Sequence, residues 1–292
     1  MKPFELAEPS TLTEAIALLD PADTNVRAIA GGTALMLMMK ARLFQPTRLV
    51  SLHKLNGSLR GVSSTGDGGL RIGALTSLRE MERSSTIRES VPVITRALRT
   101  LSNVRVRNVA TLGGHLAHGD PHMDLPPILL TLGARARTLS PRGPRLIDIS
   151  DLFLGYYQTS LAADELIEEV TIPAQPSDAR AAYAKCTTLN ADDWPAVGVA
   201  VWFRLDEDGI IREPRVAISA ATERPLRART AEQALAGARA DLSSFSRASD
   251  AAAEELETLA DIRGSASYKR EMLRVHVRRA LQSAVASRPN GT

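Results

Sequence analysis

The pattern of apolar and polar positions makes the first half of the chain an alternation of short strands and helices. Thr11 and Glu14 form a capping-box pair ahead of a helix over Ala15–Leu19, which Pro21 stops. The short apolar run Val26–Ala30 reads as a buried strand ending at Gly31–Gly32, and Ala34–Lys40, rich in Leu and Met, reads as a helix. A second unit follows. Gly66–Gly69 is a turn, Leu70–Ala74 a strand, and Ser77 with Glu80 caps a helix running through Arg83. Val91–Leu101 reads as helical, and Arg135–Leu139 and Leu166–Ile172 as strands.

The pattern changes near Pro173–Asp178, which reads as a linker, so two domains are expected, over 1–175 and 176–292. Beyond the linker come three strand-like runs: Val197–Leu205, Ile210–Ile211 extending toward Val216, and Val216–Ala221. Asp206-Glu207-Asp208-Gly209 is a hairpin signal between the first two. Thr230 and Gln233 form another capping pair. Leu273, Val277, Ala280, Leu281, Ala284 and Val285 recur along one helical face. The second domain is therefore expected to be a small antiparallel sheet carrying helices, within an α+β chain.

Composition narrows the classes. With 44% apolar and 24% charged residues, the chain has the makeup of a globular protein rather than a disordered one. Its 36 Lys and Arg barely exceed its 33 Asp and Glu, so nothing points to nucleic acid. One cysteine, Cys186, excludes an internal disulfide and any iron–sulfur cluster ligated by cysteines of this chain alone. The longest apolar stretch, Ala28–Met39, is far short of the roughly 20 residues that span a bilayer. The start, MKPFELAEPS, lacks an apolar export core, so no membrane insertion and a cytoplasmic location are expected.

Two segments carry chemistry. In AIAGGTALMLMMK (28–40) a strand, a Gly31-Gly32-Thr33 turn and a helix follow one another. A helix N-terminus exposes unpaired amides and partial positive charge, glycine lets a phosphate approach them, and Thr33 adds a hydroxyl. The plain alternative is a tight turn without a ligand. In TLGGHLAHGDPHMDLPP (111–127) a second pair, Gly113–Gly114, follows the apolar run Val109–Leu112. Two glycine turns suit the two phosphates of a dinucleotide, and Asp124, a pure acceptor when ionised, suits ribityl or ribose hydroxyls. The plain alternative here is that Asp120-Pro121 and Pro126-Pro127 terminate structure. His115, His118, His122, Asp120 and Asp124 also have the composition of a metal site, but Gly and Pro break the spacing that a helical metal motif needs.

AGGT…MMK and TLGGHLAHGDPHMDLPP, about eighty residues apart, resemble the two flavin motifs of the FAD subunits of molybdenum hydroxylases, the medium-subunit family of aerobic carbon monoxide dehydrogenase and its xanthine dehydrogenase relatives. The resemblance continues through Phe153–Tyr157, Glu165–Pro173, residues 183–203 and residues 265–281, nearly the whole chain. It implies an FAD-binding domain of the vanillyl-alcohol-oxidase (PCMH) type and a smaller C-terminal domain of sheet plus helices. It implies that Ala30, Gly31, Gly32, Thr33 and Ala34, with Thr111, Gly113, Gly114 and His115, hold the FAD pyrophosphate. Asp124 matches the ribityl-binding acid, Leu101 and Ile167 fall near positions packing on the flavin ring or adenine, and Lys185 matches a lysine close to the isoalloxazine. No catalytic residue and no metal ligand of this chain follow from it. Molybdopterin and iron–sulfur clusters belong, on this resemblance, to a large and a small partner subunit, and an external acceptor takes the electrons.

Several positions depart from the family. His115 stands where many relatives have Asn, and Thr188, Leu189 and Asn190 where many carry arginine. Trp194 is expected in the core, with a place beside the flavin as the alternative. Arg96, Arg99, Arg105 and Arg107 are expected to form a solvated face, with contact to an acidic partner subunit or an FAD phosphate as the alternative. Cys186 is expected to be structural. Two rival functions stay open on the residues alone: a stand-alone flavin oxidoreductase of this fold, and a non-redox module that binds a metal or another ligand.

Overall fold

The computed structural model describes residues 2–55, 57–191 and 193–287. It begins with β1 (Glu5–Ala7), α1 (Leu12–Ala17), β2 (Val26–Ile29), α2 (Thr33–Lys40) and β3 (Arg48–Ser51). The Thr11 hydroxyl accepts from the Glu14 amide while the Glu14 carboxylate accepts from the Thr11 amide, so α1 starts at Leu12, earlier than the apolar pattern suggests. The three strands are parallel in the order β1-β3-β2. Ala15 and Ile16 of α1 pack on Val26 and Val50. Because β2 ends at Ile29, Ala30 is already leaving the sheet when it meets the first diglycine.

Next come β4 (Val62–Ser64), β5 (Leu70–Gly73), α3 (Leu78–Arg83), α4 (Ser85–Ser90), α5 (Pro92–Leu98), α6 (Val104–Val109), α7 (Leu112–His118), α8 (Leu125–Leu132), β6 (Arg135–Ser140), β7 (Gly143–Asp148), α9 (Ile149–Leu152), β8 (Phe153–Gly155), β9 (Gln158–Thr159) and β10 (Leu166–Ile172). An antiparallel sheet forms in the order β4-β5-β10-β6-β7. Two expectations change here. Gly113–Gly114 is not a bend: Thr111 accepts from the Gly114 amide and makes both glycines part of the first turn of α7. Pro126 and Pro127 open α8 rather than end structure, since a missing amide proton costs nothing at the start of a helix.

The remainder is β11 (Ala179–Cys186), β12 (Val197–Leu205), β13 (Ile211–Ser219), β14 (Leu226–Arg227), α10 (Arg229–Leu235), α11 (Leu242–Glu255) and α12 (Ala266–Ala286), with the strands antiparallel in that order. The hairpin at Asp206–Gly209 is present, with the Gly209 amide donating to the Asp206 carbonyl. The two runs on either side of Val216 are one strand, β13. Thr230 and Gln233 do not cap a helix: α10 begins at Arg229, and the Thr230 amide and hydroxyl donate to Glu255 instead.

The C-terminal sheet is buried on both faces, and period-two alternation assigns its side chains. Ala200, Trp202 and Ala217 join the core containing α5 and α8, whereas Val199, Val201, Phe203, Val216 and Ile218 pack with α10, α11 and α12. On α12, Leu273, Val277, Ala280, Leu281 and Ala284 are buried and Val285 is partly so. The Arg215 guanidinium lies 4.1 Å from the Trp202 ring centroid and donates to the Thr131 carbonyl at 2.9 Å. The Pro173–Asp178 segment therefore joins two sheets across one shared core. Among the described residues no helix is long and apolar enough to cross a membrane.

Candidate functional site

The two glycine segments lie side by side. A Cβ on Gly31 would sit on the backbone of Val109 and Ala110, so only glycine lets the segments approach this closely. Gly32 adopts φ +67° and turns the chain into α2 without a side-chain cap. The first bond into this helix is from the Met36 amide to the Gly32 carbonyl. The Thr33, Ala34 and Leu35 amides have no acceptor among the described residues, which makes this end of α2 an anion-accepting group.

The second segment differs. The Leu112 amide donates to the Thr76 carbonyl, that of Gly113 to Ala74, that of Gly114 to the Thr111 hydroxyl and that of His115 to the Thr111 carbonyl, all within 3.2 Å. The N-terminal amides of α7 are thus used within the fold. Its glycines also face opposite ways. A Cβ on Gly113 would meet Ala74 at 2.8 Å, whereas Gly114 is exposed and a Cβ there would come 3.8 Å from the Ala30 Cβ. The two motifs contribute unequally: α2 offers free amides, and α7 offers a bare surface opposite them.

Between them lies a cavity of about 440 Å³. It is lined by Ala30, Gly31, Gly32, Thr33 and Ala34, by Leu101, and by Thr111, Gly114, His115 and Asp124. Three other expected site residues are not on its wall. Gly113 is turned against Ala74. Ile167 points into the apolar core, and its neighbour Leu166 takes the cavity side of β10. Lys185 stands behind Asp124.

Asp124 is 3% exposed. Its Oδ1 accepts from the Tyr183 hydroxyl at 2.7 Å and faces the Lys185 Nζ at 3.3 Å. Burial pushes the Asp124 carboxyl above the ordinary carboxylate range, against the opposing pull of Lys185 and Tyr183. Burial beside Asp124 likewise holds the Tyr183 phenol well above its usual value, keeping it a donor. Lys185 also donates to the Thr100 carbonyl at 2.7 Å and the Asp193 carbonyl at 3.0 Å. It is therefore a strut between Asp124, the segment leading to Leu101 and the loop before Trp194. Trp194 is 42% exposed on the cavity rim, with the Arg263 guanidinium 5.3 Å from its ring centroid, and is not a core residue.

His115 has a buried Nε2 without a hydrogen-bond partner. Burial, reinforced by His118, pulls its pKa down to about 4, so the ring is neutral near pH 7. The other two histidines of this segment, also on the cavity wall, have partners. His118 packs edge-on to Tyr157 at 5.1 Å. His122 bridges two carboxylates, Nδ1 to Asp120 and Nε2 to Asp261, both at 2.8 Å; Asp261 in turn pairs with the fully buried Lys269 at 2.8 Å. Burial would raise the Asp261 carboxyl, but Lys269, His122 and the Arg263 amide outweigh it and bring it to about 2. Among the described residues no group of three or more His, Cys, Asp and Glu is placed to hold a metal ion.

The arginine cluster is also not uniformly solvated. Arg107 is buried, bonded to Glu82 at 2.9 Å and to the Leu101 carbonyl at 3.0 Å, and Arg96 donates to the Ala181 carbonyl. Both brace the cavity's surroundings. The thiol of Cys186 is buried, 3.6 Å from the Tyr268 hydroxyl. Sequence reasoning missed Tyr157 as a wall residue and favoured the core for Trp194, because an aromatic ring on a loop carries no periodic signal.

Comparison with known proteins gives a consistent picture. Residues 2–175 match the FAD binding domain in molybdopterin dehydrogenase, and residues 181–284 the CO dehydrogenase flavoprotein C-terminal domain. The chain is 34% identical to the nicotine 6-hydroxylase medium subunit of Paenarthrobacter nicotinovorans over 96% of each chain. It is 31% identical to the carbon monoxide dehydrogenase medium chain of Hydrogenophaga pseudoflava over 97% of each. A structure of carbon monoxide dehydrogenase from the latter organism superposes with a TM-score of 0.93, covering 98% of this chain and 99% of that one at 34% identity. Quinoline 2-oxidoreductase from Pseudomonas putida superposes at 0.90, covering 98% of this chain and 99% of that one at 29% identity.

Proposed function

Because the chain belongs to the family of FAD-binding subunits of molybdopterin-dependent dehydrogenases and hydroxylases, we propose that its cavity between α2 and α7 is the FAD site. The chain is an FAD-binding electron-transfer subunit of an oxidoreductase; what is proposed is how its residues do this. The observation that carries the reading is the uncapped N-terminus of α2 facing the exposed Gly114 across the cavity. The Thr33, Ala34 and Leu35 amides receive the pyrophosphate, and Gly114 with Ala30 leaves room for it. The Asp124 carboxylate, with Oδ1 held by Tyr183 and Lys185, presents its other oxygen to ribityl hydroxyls. The unpartnered Nε2 of His115 fits a polar group of the same ligand. Leu101 supplies an apolar surface beside it. Gly113, Ile167 and Lys185 support this wall from behind rather than touching the cofactor.

The chemistry supplied by bound FAD is reversible one- and two-electron transfer. This chain's part is to orient the cofactor and to set the electrostatics around it. Substrate oxidation belongs to a large molybdopterin-binding partner, electrons arrive through iron–sulfur clusters of a small partner, and an external acceptor removes them. We assign residues 1–175 to the FAD-binding domain and 176–292 to the C-terminal domain, and the assembled complex to the cytoplasm. Purification of the chain with its co-expressed partners tests the reading. Flavin absorbance in stoichiometric amount, lost in Gly114→Val with the fold retained, is the expected result. A colourless wild-type complex that takes up no added FAD overturns it.

A further inference from the structure

Tyr157 occupies the second place of the two-residue turn between β8 and β9 with φ +52°, a conformation that glycine or asparagine takes readily and a bulky side chain does not. The strain is held in place by its surroundings. The Tyr157 amide donates to the Gly119 carbonyl at 3.0 Å, and its hydroxyl to Asp120 Oδ2 at 3.2 Å. His118 meets its ring edge-on at 5.1 Å, and Tyr156 lies 6.4 Å away. Tyr157 is nonetheless 50% exposed, on the cavity wall with Ala117, Thr159 and Leu161. Burial and Asp120 push its phenol up to about 12, so the hydroxyl stays a donor and the anchor persists across the working pH range.

Two groups of linked residues reach the cavity wall, one at Asp124 with Leu101 and Trp194 beside it, the other at His118 and Tyr157. One joins Asp124, Tyr183 and Lys185 to Thr100 and Asp193, the neighbours of Leu101 and Trp194. The other joins His118, Gly119, Asp120 and Tyr157. In FAD the ribityl chain separates the isoalloxazine from the pyrophosphate, so an acid that accepts from ribityl hydroxyls marks the isoalloxazine half. Asp124 is in the first group, which leaves the second for the adenosine half. Resting on the reading of the cavity as an FAD site, we propose that Tyr157 is the aromatic platform on which the adenine ring stacks. The chain keeps tyrosine at a glycine-type position because its face is needed by the ligand, and the anchors to Gly119 and Asp120 fix the angle of that face.

The test uses the full chain stripped of flavin, with FAD, ADP and FMN as separate probes in titration calorimetry, and the variants Tyr157→Gly, Tyr157→Asn and Tyr157→Phe. The glycine and asparagine variants relieve the backbone and remove the ring. They should melt no lower than wild type when empty, yet bind FAD and ADP about tenfold more weakly, as expected for loss of one base–aromatic stack. FMN affinity should not change, and Tyr157→Phe, which keeps the ring and the bond to Gly119 but not the one to Asp120, should lose less affinity for FAD and ADP than the ring-less variants do. Unchanged FAD and ADP affinity in both ring-less variants overturns the proposal. So does an equal loss for FMN, an equal loss in Tyr157→Phe, or a lower melting temperature in both ring-less variants. A wild-type chain that binds none of the probes instead overturns the FAD reading, and this proposal with it.

Discussion

A Cβ built on Gly31 falls 2.0 Å from the carbonyl oxygen of Val109. The first diglycine is therefore fixed against the backbone that leads into the second, and the spacing of the two motifs in the fold depends on one absent methyl group.

Alanine substitutions should separate the roles of these glycines. Gly31→Ala forces two backbones apart and should cost about 2 kcal/mol or more of stability, with flavin lost as a consequence. Gly114→Ala meets only the Thr111 hydroxyl at 3.1 Å and the Ala30 Cβ at 3.8 Å. It should leave the urea midpoint nearly unchanged while lowering FAD affinity. Equal loss of stability in the two variants would contradict this division.

Lys185→Met leaves the Asp124 carboxyl buried with only Tyr183 beside it. Removing one partner of such a pair should cost about 3 kcal/mol at pH 7. Asp124 is already raised by burial, and the variant raises it further. A carboxyl raised in the folded state weighs against folding above its folded pKa, and the penalty vanishes below the ordinary value of 3.8. The deficit of the variant should therefore shrink as pH falls toward 4, which urea midpoints at several pH values will show.

Asp261 behaves in the opposite sense. Its carboxyl is lowered from 3.8 to about 2, so its ion pair stabilises the fold above 3.8 and the contribution is lost as pH falls toward 2. Asp261→Asn should cost about 2 kcal/mol at pH 7 and progressively less in acid. A difference from wild type that stays constant down to pH 2 would remove the proposed linkage.

His115 should show a third pH profile. With a folded pKa of about 4 against 6.5 when free, it binds its proton first in the unfolded chain, so stability falls as pH drops from 6.5 to 4. His115→Asn removes that slope and, if a hydrogen-bonding amide suffices at the site, keeps FAD. Parallel urea midpoints for the two proteins across this range would show that the imidazole is not held neutral.

What the sequence revealed and what it hid have physical reasons. Both glycine segments, Asp124 and the long face of α12 were legible, since each is a local pattern with its own geometry. That Gly113–Gly114 is helical was not, because the deciding contact is the Thr111 hydroxyl rather than the glycines. Strand β11 and helix α11 went unread: ARAAYAKC blurs alternation with alanine, and LSSFSRASDAAAEE carries few large apolar side chains. Lys185 was singled out only through the resemblance, and its place behind Asp124 as a strut depends on the Thr100 and Asp193 carbonyls, which no spacing rule brings together.

The clasp from Asp120 through His122 and Asp261 to Lys269 ties the cavity wall to a helix far along the sequence. The Ala220 amide donates to the Pro121 carbonyl, and Lys269 secures the turn that holds His122. The wall at 120–124 thus depends on a helix far downstream, and a lesion in α12 at Lys269 reaches the cavity through Asp261 and His122.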